Sequence, residues 1–213
     1  MSQEVPRKKK TSRDLQAAER REQLLQSAKS LFAEQGYHAT STRSITQRIG
    51  MADGLIYHYF PGGKLEMLKT IIREGHEQRL AQMDEVRFSI SDDTPLREGL
   101  LRFGRFLRQS MLADRELMLI HLNERGLLEA EEEHFFAHSI YERWTWATEF
   151  LRKRAERGEM RQIDFHLAAR QFVSIVVFSA VQVLMGLTEG QPDDLERDAE
   201  RLIAFTVEQW LEK

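Results

Sequence analysis

Apolar residues in this chain recur at three- and four-residue spacing from end to end, and glycine or proline interrupts each run where a helix would stop. Leu24, Leu25, Ala28, Leu31 and Phe32 share one helical face before Gly36. Thr42 to Ile49 ends at Gly50, and Asp53 to Phe60 ends at Pro61-Gly62-Gly63. A long amphipathic stretch follows from Lys64 to Val86, carrying Leu65, Leu68, Ile71, Ile72, His76, Leu80 and Met83. Ser89 to Asp93 breaks the pattern as a linker, and Thr94-Pro95 supplies a cap and a first-turn proline for a helix to Leu112. Asp114 opens the next helix, ending near Gly126; Glu129 to Arg157 closes at Gly158; Asp164 opens one to Met185; the last covers Asp193 to Leu211. No segment sustains period-two alternation with turn chemistry, so the expected fold class is all-α.

Composition narrows the chemistry. Of 213 residues, 41% are apolar and 31% charged, which excludes a disordered or collagen-like chain. With no cysteine, disulfide scaffolds, thiolate metal sites and thiol nucleophiles are excluded. The polar, basic start carries no signal-peptide pattern. The most apolar run, Phe172 to Leu187, is interrupted by Ser174, Ser179 and Gln182 and is shorter than a bilayer span of ~20 residues. A soluble, cytoplasmic protein without a membrane partner is expected. The net charge of −3 is unevenly spread. Residues 1–65 hold eleven Lys and Arg against six Asp and Glu, and the remainder twenty against twenty-eight. A basic module on an acidic body suits a polyanion, although the tail Arg7-Lys8-Lys9-Lys10 supplies much of the excess and also reads as a solvated terminus.

Two short helices joined by Gly50-Met51-Ala52 and resting on longer ones follow the plan of a helix-turn-helix DNA reader; an ordinary helical hairpin in a core has the same spacing. Ile45, Ile49, Ile56 and Phe60 make an inward face, leaving Arg43, Ser44, Tyr57 and Tyr59 outside.

The residues themselves carry a resemblance. Phe32-Ala33-Glu34-Gln35-Gly36-Tyr37, Thr40-Ser41-Thr42-Arg43-Ser44-Ile45, Ile49-Gly50, Gly54-Leu55-Ile56-Tyr57-His58-Tyr59-Phe60 and Lys64 with Leu68 resemble the TetR family of bacterial repressors over residues 20–70. The resemblance implies three parts. Residues 1–19 form a basic tail and the start of the first helix, 20–70 a helix-turn-helix domain, and 71–213 a helical ligand-binding and dimerisation domain. It implies a homodimeric repressor that binds a palindromic double-stranded DNA operator and releases it when a small molecule binds. From the residues themselves, no enzymatic activity, cofactor or metal is expected.

The DNA-contacting set it implies is Ser41, Thr42, Arg43, Asp53, Gly54, Leu55, Tyr57, Tyr59 and Lys64. Hydroxyls at a helix N-terminus (Ser41, Thr42) suit phosphate, and Arg43 suits guanine or phosphate. Gly54 lacks a Cβ and permits close approach, Tyr57 and Tyr59 suit phosphate or a thymine methyl, and Lys64 suits phosphate. Two positions depart from the family's usual pattern. Asp53 is acidic where a small or polar residue is usual, and either caps the second helix or accepts from a cytosine. The link Pro61-Gly62-Gly63 is one residue longer than the commonest one.

For an apolar or aromatic effector, the candidates are Phe103, Met111, Met118, His121, Trp144 and Phe172, with Asn123 and Glu124 as further polar groups. For the dimer seam they are Phe172, Val176, Ala180 and Leu184 from the penultimate helix, apolar nearly all round, and Ile203 and Trp210 from the last. A fully internal helix in a monomer has the same pattern. Glu131, His134, His138 and Glu142 share a helical face at metal-ligand spacing, but read better as a solvated acidic helix start. There is no phosphate-binding glycine loop and no nucleophile elbow. The rival class is a helical small-molecule-binding or peripheral-membrane protein without sequence-specific DNA binding; a helical hydrolase is a third possibility.

Overall fold

The structure is a computed structural model that describes residues 11–128, 130–187 and 192–211, except for the side chains of 125, 130–136, 139, 192 and 193. The tail at 7–10 and the metal candidates Glu131 and His134 therefore lie outside the described residues and side chains. Among those that are described, every regular element is helical. The chain divides into two compact units, one ending at Ile71 and the other starting at Ile72.

In the first unit, α1 (Ser12–Gln35) opens with a reciprocal cap. Thr11 Oγ1 accepts from the Asp14 amide at 3.2 Å and Asp14 Oδ2 accepts from the Thr11 amide at 2.8 Å. Its apolar face buries Leu24, Leu25, Ala28 and Phe32, and Gly36 ends it at φ 84°. Next come α2 (Thr42–Arg48) and then a single 3-10 turn, Asp53–Leu55, that leads into α3 (Ile56–Tyr59). Such short helices have little stability of their own. They are held by burial of Ile45, Ile56 and Phe60 and by Ser27 Oγ of α1, which donates to the Ile45 carbonyl at 2.9 Å. Ile49 is only half-buried. Gly50 takes φ 66°, a turn that lets the Met51 amide reach the Thr46 carbonyl at 2.9 Å. The helix α4 (Gly63–Ser89) then begins on a glycine at φ 62°.

The second unit contains α4 from Ile72 onward, α5 (Leu96–Ala113), α6 (Arg115–Asn123), α7 (Ala130–Glu156), α8 (Phe165–Leu184) and α9 (Pro192–Glu208). Two caps are where the sequence puts them. Asp114 Oδ1 accepts from the Leu117 amide at 3.1 Å, and Asp164 Oδ1 from the Leu167 amide at 3.0 Å. The start of α5 differs from expectation. Pro95, not Thr94, is the capping position, and Thr94 Oγ1 lies 3.2 Å from Ser91 Oγ instead. The Leu96 amide donates to Glu159 Oε2 at 3.3 Å, so a carboxylate 63 residues away serves as the cap. The linker is pinned from the same side: Arg154, 3% exposed, donates to the carbonyls of Asp92 at 2.6 Å and Ser91 at 3.1 Å and pairs with Glu159 at 3.0 Å.

Helix α8 packs against α5, α7 and α9. Their shared core includes Leu100, Phe103, Leu107, Leu151, Ala169, Phe172, Val176, Ile203 and Val207. At 20 residues, α8 is longer than the apolar run in the sequence and is long and apolar enough to cross a membrane by length and composition, which corrects the argument from length. In the fold it buries one face in this core. Gly99 and Gly104 let α5 sit close to its neighbours. A Cβ on Gly99 would lie 2.4 Å from Phe150 Cζ, and one on Gly104 would lie 2.8 Å from Ile203 Cδ1.

Candidate functional site

The first unit presents a surface from α2 and the segment 53–59. Arg43 and Tyr57 are exposed, Tyr57 by 54% and Leu55 by 42%, while Tyr59 is half-buried. Gly54 is exposed, and a Cβ built there meets no atom within 4 Å. Nothing in the fold itself requires glycine at this position. Any such requirement comes from something that approaches the surface from outside.

Three of the expected contact residues also have work within the unit. Ser41 caps α2: its Oγ accepts from the Ser44 amide at 2.9 Å, and Ser44 Oγ accepts from the Ser41 amide at 3.1 Å. Asp53 neither caps the second helix nor stands alone. Its Oδ1 accepts from Thr46 Oγ1 at 2.8 Å, which ties the 3-10 turn to α2, and its Oδ2 lies 3.7 Å from Arg43 Nε. That exposed pair contributes little stability, but it sets where the Arg43 guanidinium rests. Lys64 is turned inward. Its Nζ donates to the carbonyls of Tyr37 at 2.6 Å and Thr40 at 2.7 Å and sits 4.0 Å from the centre of the Tyr37 ring. The sequence suggests a phosphate contact; the structure instead has the ammonium closing the loop between α1 and α2. Lys64→Ala is accordingly expected to destabilise the first unit by about 1.5–3 kcal/mol, as hydrogen bonds to a charged group do. Chemical denaturation without DNA checks this, and an unchanged unfolding midpoint would return Lys64 to the surface.

The second unit holds a cavity of about 230 Å³. His76 and Arg79 of α4, Met111 of α5, Met118 and Leu122 of α6, Ile140, Arg143 and Trp144 of α7, and four residues of α8 line it. Met111, Met118 and Trp144 stand where the sequence suggested. Phe103 and Phe172 do not line it: they are 0% and 1% exposed and belong to the core, where they stack on each other between α5 and α8 with ring centres 6.3 Å apart. Phe103 packs 4.0 Å from the Trp146 ring. His121 sits behind the wall, edge-on to His76 with ring centres 5.5 Å apart. Asn123 is exposed, while Glu124 is buried.

The basic lining residues His76, Arg79 and Arg143 were not legible as site residues, since charge on a helix ordinarily marks a solvated face. Arg79 is 8% exposed and donates to the Asp114 carbonyl at 3.3 Å and to Met118 Sδ at 2.9 Å. Burial lowers its pKa, and Asp114 opposes that shift. Burial, and then repulsion from Arg79, lower Arg143 to about 10. His76, 2% exposed, falls from the ordinary 6.5 to about 3, first through burial and then through the positive charges around it. A histidine held neutral in the folded state contributes full stability above pH 6.5. That contribution is lost as pH falls from 6.5 toward 3, because the unfolded chain alone takes up the proton. The wild-type minus His76→Asn difference in unfolding free energy should therefore fall by up to about 1.4 kcal/mol per pH unit across that window; a flat difference would place His76 in water.

The six residues expected at a dimer seam are all buried within the unit. Phe172, Val176, Ala180, Leu184, Ile203 and Trp210 are between 0% and 5% exposed, so they face the core and offer no surface to a partner. The exposed apolar residues of these helices are others: Leu167, Phe178, Leu202 and Phe205, between 52% and 62% exposed. Among the described residues, no group of three or more metal-ligating side chains gathers.

Comparison with known proteins places both units. Residues 24–71 match the family described as bacterial regulatory proteins, tetR family, and residues 98–211 match the C-terminal domain of AefR-like transcriptional repressors. The helix-turn-helix-type transcriptional regulator YxaF of Bacillus subtilis is 47% identical over 47 residues, 22% of this chain and 25% of that protein. The curated relatives are matched over only about a quarter to two fifths of their own length. Two solved structures share the fold over nearly the whole chain. A putative transcriptional regulator from Saccharomonospora viridis in complex with choline has a TM-score of 0.74 at 19% identity, covering 92% of this chain and 100% of that one. The ketosteroid transcriptional regulator KstR2 of Mycobacterium tuberculosis has 0.70 at 20% identity, covering 91% and 96%. With the two family matches together spanning most of its length, this chain belongs to the TetR family of bacterial regulatory proteins.

Proposed function

We propose that this protein is a cytoplasmic homodimeric transcriptional repressor that binds a palindromic DNA operator through residues 20–70 and is released by a small molecule held in the cavity of the helical domain 71–213. The observation that carries the reading is the exposed face formed by Arg43, Leu55 and Tyr57 around a glycine, Gly54, that the fold itself does not need. It lies in the part of the chain with the positive charge excess. Arg43 leaves its weak pairing with Asp53 for a guanine edge or a phosphate, and Tyr57 follows it into the groove.

The partner surface is made by the exposed apolar residues of α8 and α9, Phe178 and Phe205 among them. Ligand response runs through α4, which begins just after the recognition segment and carries His76 and Arg79 of the cavity. Two half-sites one helical turn apart, ~34 Å, tolerate little change in spacing, so a small shift of this helix in each protomer costs contacts. Ligand and DNA then weaken each other by the same factor. Choline, seen in the structural neighbour, is a cation that two guanidinium groups would repel, so this cavity takes a different ligand.

The test is operator retention by the full chain across a salt series. Arg43→Ala should lose about 1–3 kcal/mol of binding and relax preference at one base pair if it reads guanine. Tyr57→Phe should weaken binding while leaving the fold intact. Unchanged binding by both variants would remove the assignment.

A further inference from the structure

We infer that the effector of this cavity is a small amphiphilic carboxylate, its head group held between Arg79 and Arg143 and its apolar chain lying along Met111, Val173, Val177 and Val181. The inference rests on the reading of the cavity as an effector site and adds the chemical class of the ligand.

It begins with a charge imbalance. Arg79 from α4 and Arg143 from α7 line one hollow, and among the described residues no carboxylate lines it with them. Arg79 makes two hydrogen bonds there, to a backbone carbonyl at 3.3 Å and a thioether sulfur at 2.9 Å, both neutral acceptors, whereas a guanidinium offers five donors. The Asp114 carboxylate acts on Arg79 from outside the lining, with its Oδ1 committed to the Leu117 amide at 3.1 Å. Arg143 Nε and Trp144 Nε1 are buried with no acceptor. Two like charges, on residues of which one keeps an unmet donor beside that of Trp144, thus line a space whose other walls are methionine, valine, leucine and isoleucine, with His76 and Ser174 as the remaining polar groups.

Paired guanidinium groups in such surroundings are costly unless an anion meets them. A guanidinium stays charged in a protein. Asp114 offsets part of the burial cost at Arg79 from outside the lining, whereas Arg143, lowered to about 10 by burial and by Arg79, gains most from a negative ligand. A carboxylate fits the fork of one guanidinium bidentately and still has lone pairs for the other. The remaining apolar wall needs a hydrocarbon chain. A volume of about 230 Å³ lies below the ~300–1,000 Å³ of drug-sized sites, which keeps that chain short.

The experiment titrates the full-length protein with n-octanoate, 1-octanol, n-octylamine and acetate, read by calorimetry and by tryptophan emission, with no DNA present. Octanoate should bind at least tenfold more tightly than octanol, and octylamine and acetate should show no saturable binding. Arg143→Gln should abolish the preference for octanoate over octanol while raising the melting temperature of the unliganded protein, because it removes the repulsion with Arg79. If that variant does not fold, the ranking of the four probes on the wild-type protein decides alone. Octanol or octylamine binding as well as octanoate, or no binding of octanoate, overturns the ligand class and leaves the DNA-binding reading standing. In a separate gel-retention arm with operator DNA, octanoate at saturating concentration should release the operator; octanoate binding with the operator still held supports the ligand class and overturns the ligand-release reading.

Discussion

The double variant Phe178→Glu with Phe205→Glu is expected to sediment as a folded monomer and to bind operator about 100-fold more weakly than the wild-type dimer. Each side chain is about 60% exposed in the protomer, so glutamate at either position meets water once the partner is gone and costs the fold little. In the dimer the same two residues would bring at least four carboxylates into an apolar seam, where unpaired charge is strongly unfavourable. Affinity falls because two linked half-site contacts exceed one by a factor of about 10²–10⁴. The same substitution at Ile203 or Trp210, 2% and 5% exposed, would instead place charge in the protomer core and unfold it. A double variant that stays dimeric at micromolar concentration would show that the seam lies elsewhere.

Phe103→Ala is expected to cost about 3–5 kcal/mol of stability, a large share of the 5–15 kcal/mol typical of a folded chain. Phe103 is fully buried, packed 4.0 Å from the Trp146 ring and 6.3 Å from that of Phe172. The close approach of α5 permitted by Gly104 leaves no slack into which the neighbours can collapse. Urea unfolding measures the loss. A cost below about 1 kcal/mol together with a changed ligand affinity would mean that the cavity reaches Phe103.

Features set by a few neighbouring residues were readable from the sequence, and those set by distant contacts were not. Asp114 and Asp164 cap the helices that follow them because capping needs only a side chain and an amide three residues on. Glu159 capping α5 depends on a tertiary approach that no local pattern encodes. Alternation of buried and exposed positions in 42–60 put Ile45, Ile56 and Phe60 inside and Arg43 and Tyr57 outside. Helix α8 gave no such signal: Val176, Ala180 and Phe178 are all apolar, so the sequence could not say that the first two face the core and the third faces out. The cavity was half legible. Met111, Met118 and Trp144 followed from residue type, but the two arginines look like any solvated charge until α4 and α7 are brought together. Lys64 shows the converse, a surface-type residue spent on two backbone carbonyls.

The most direct measurement is selection of bound duplexes from a randomised double-stranded DNA pool by the full-length protein, followed by the same selection with Arg43→Ala. Wild-type protein should enrich an inverted repeat whose half-sites are centred one helical turn apart, ~34 Å, with affinity falling steeply as salt rises. The variant should enrich a degenerate version of that repeat, with preference lost at one symmetric pair of positions. Enrichment of no sequence by the wild-type dimer, or of the same repeat with the same affinity by the variant, would contradict the account.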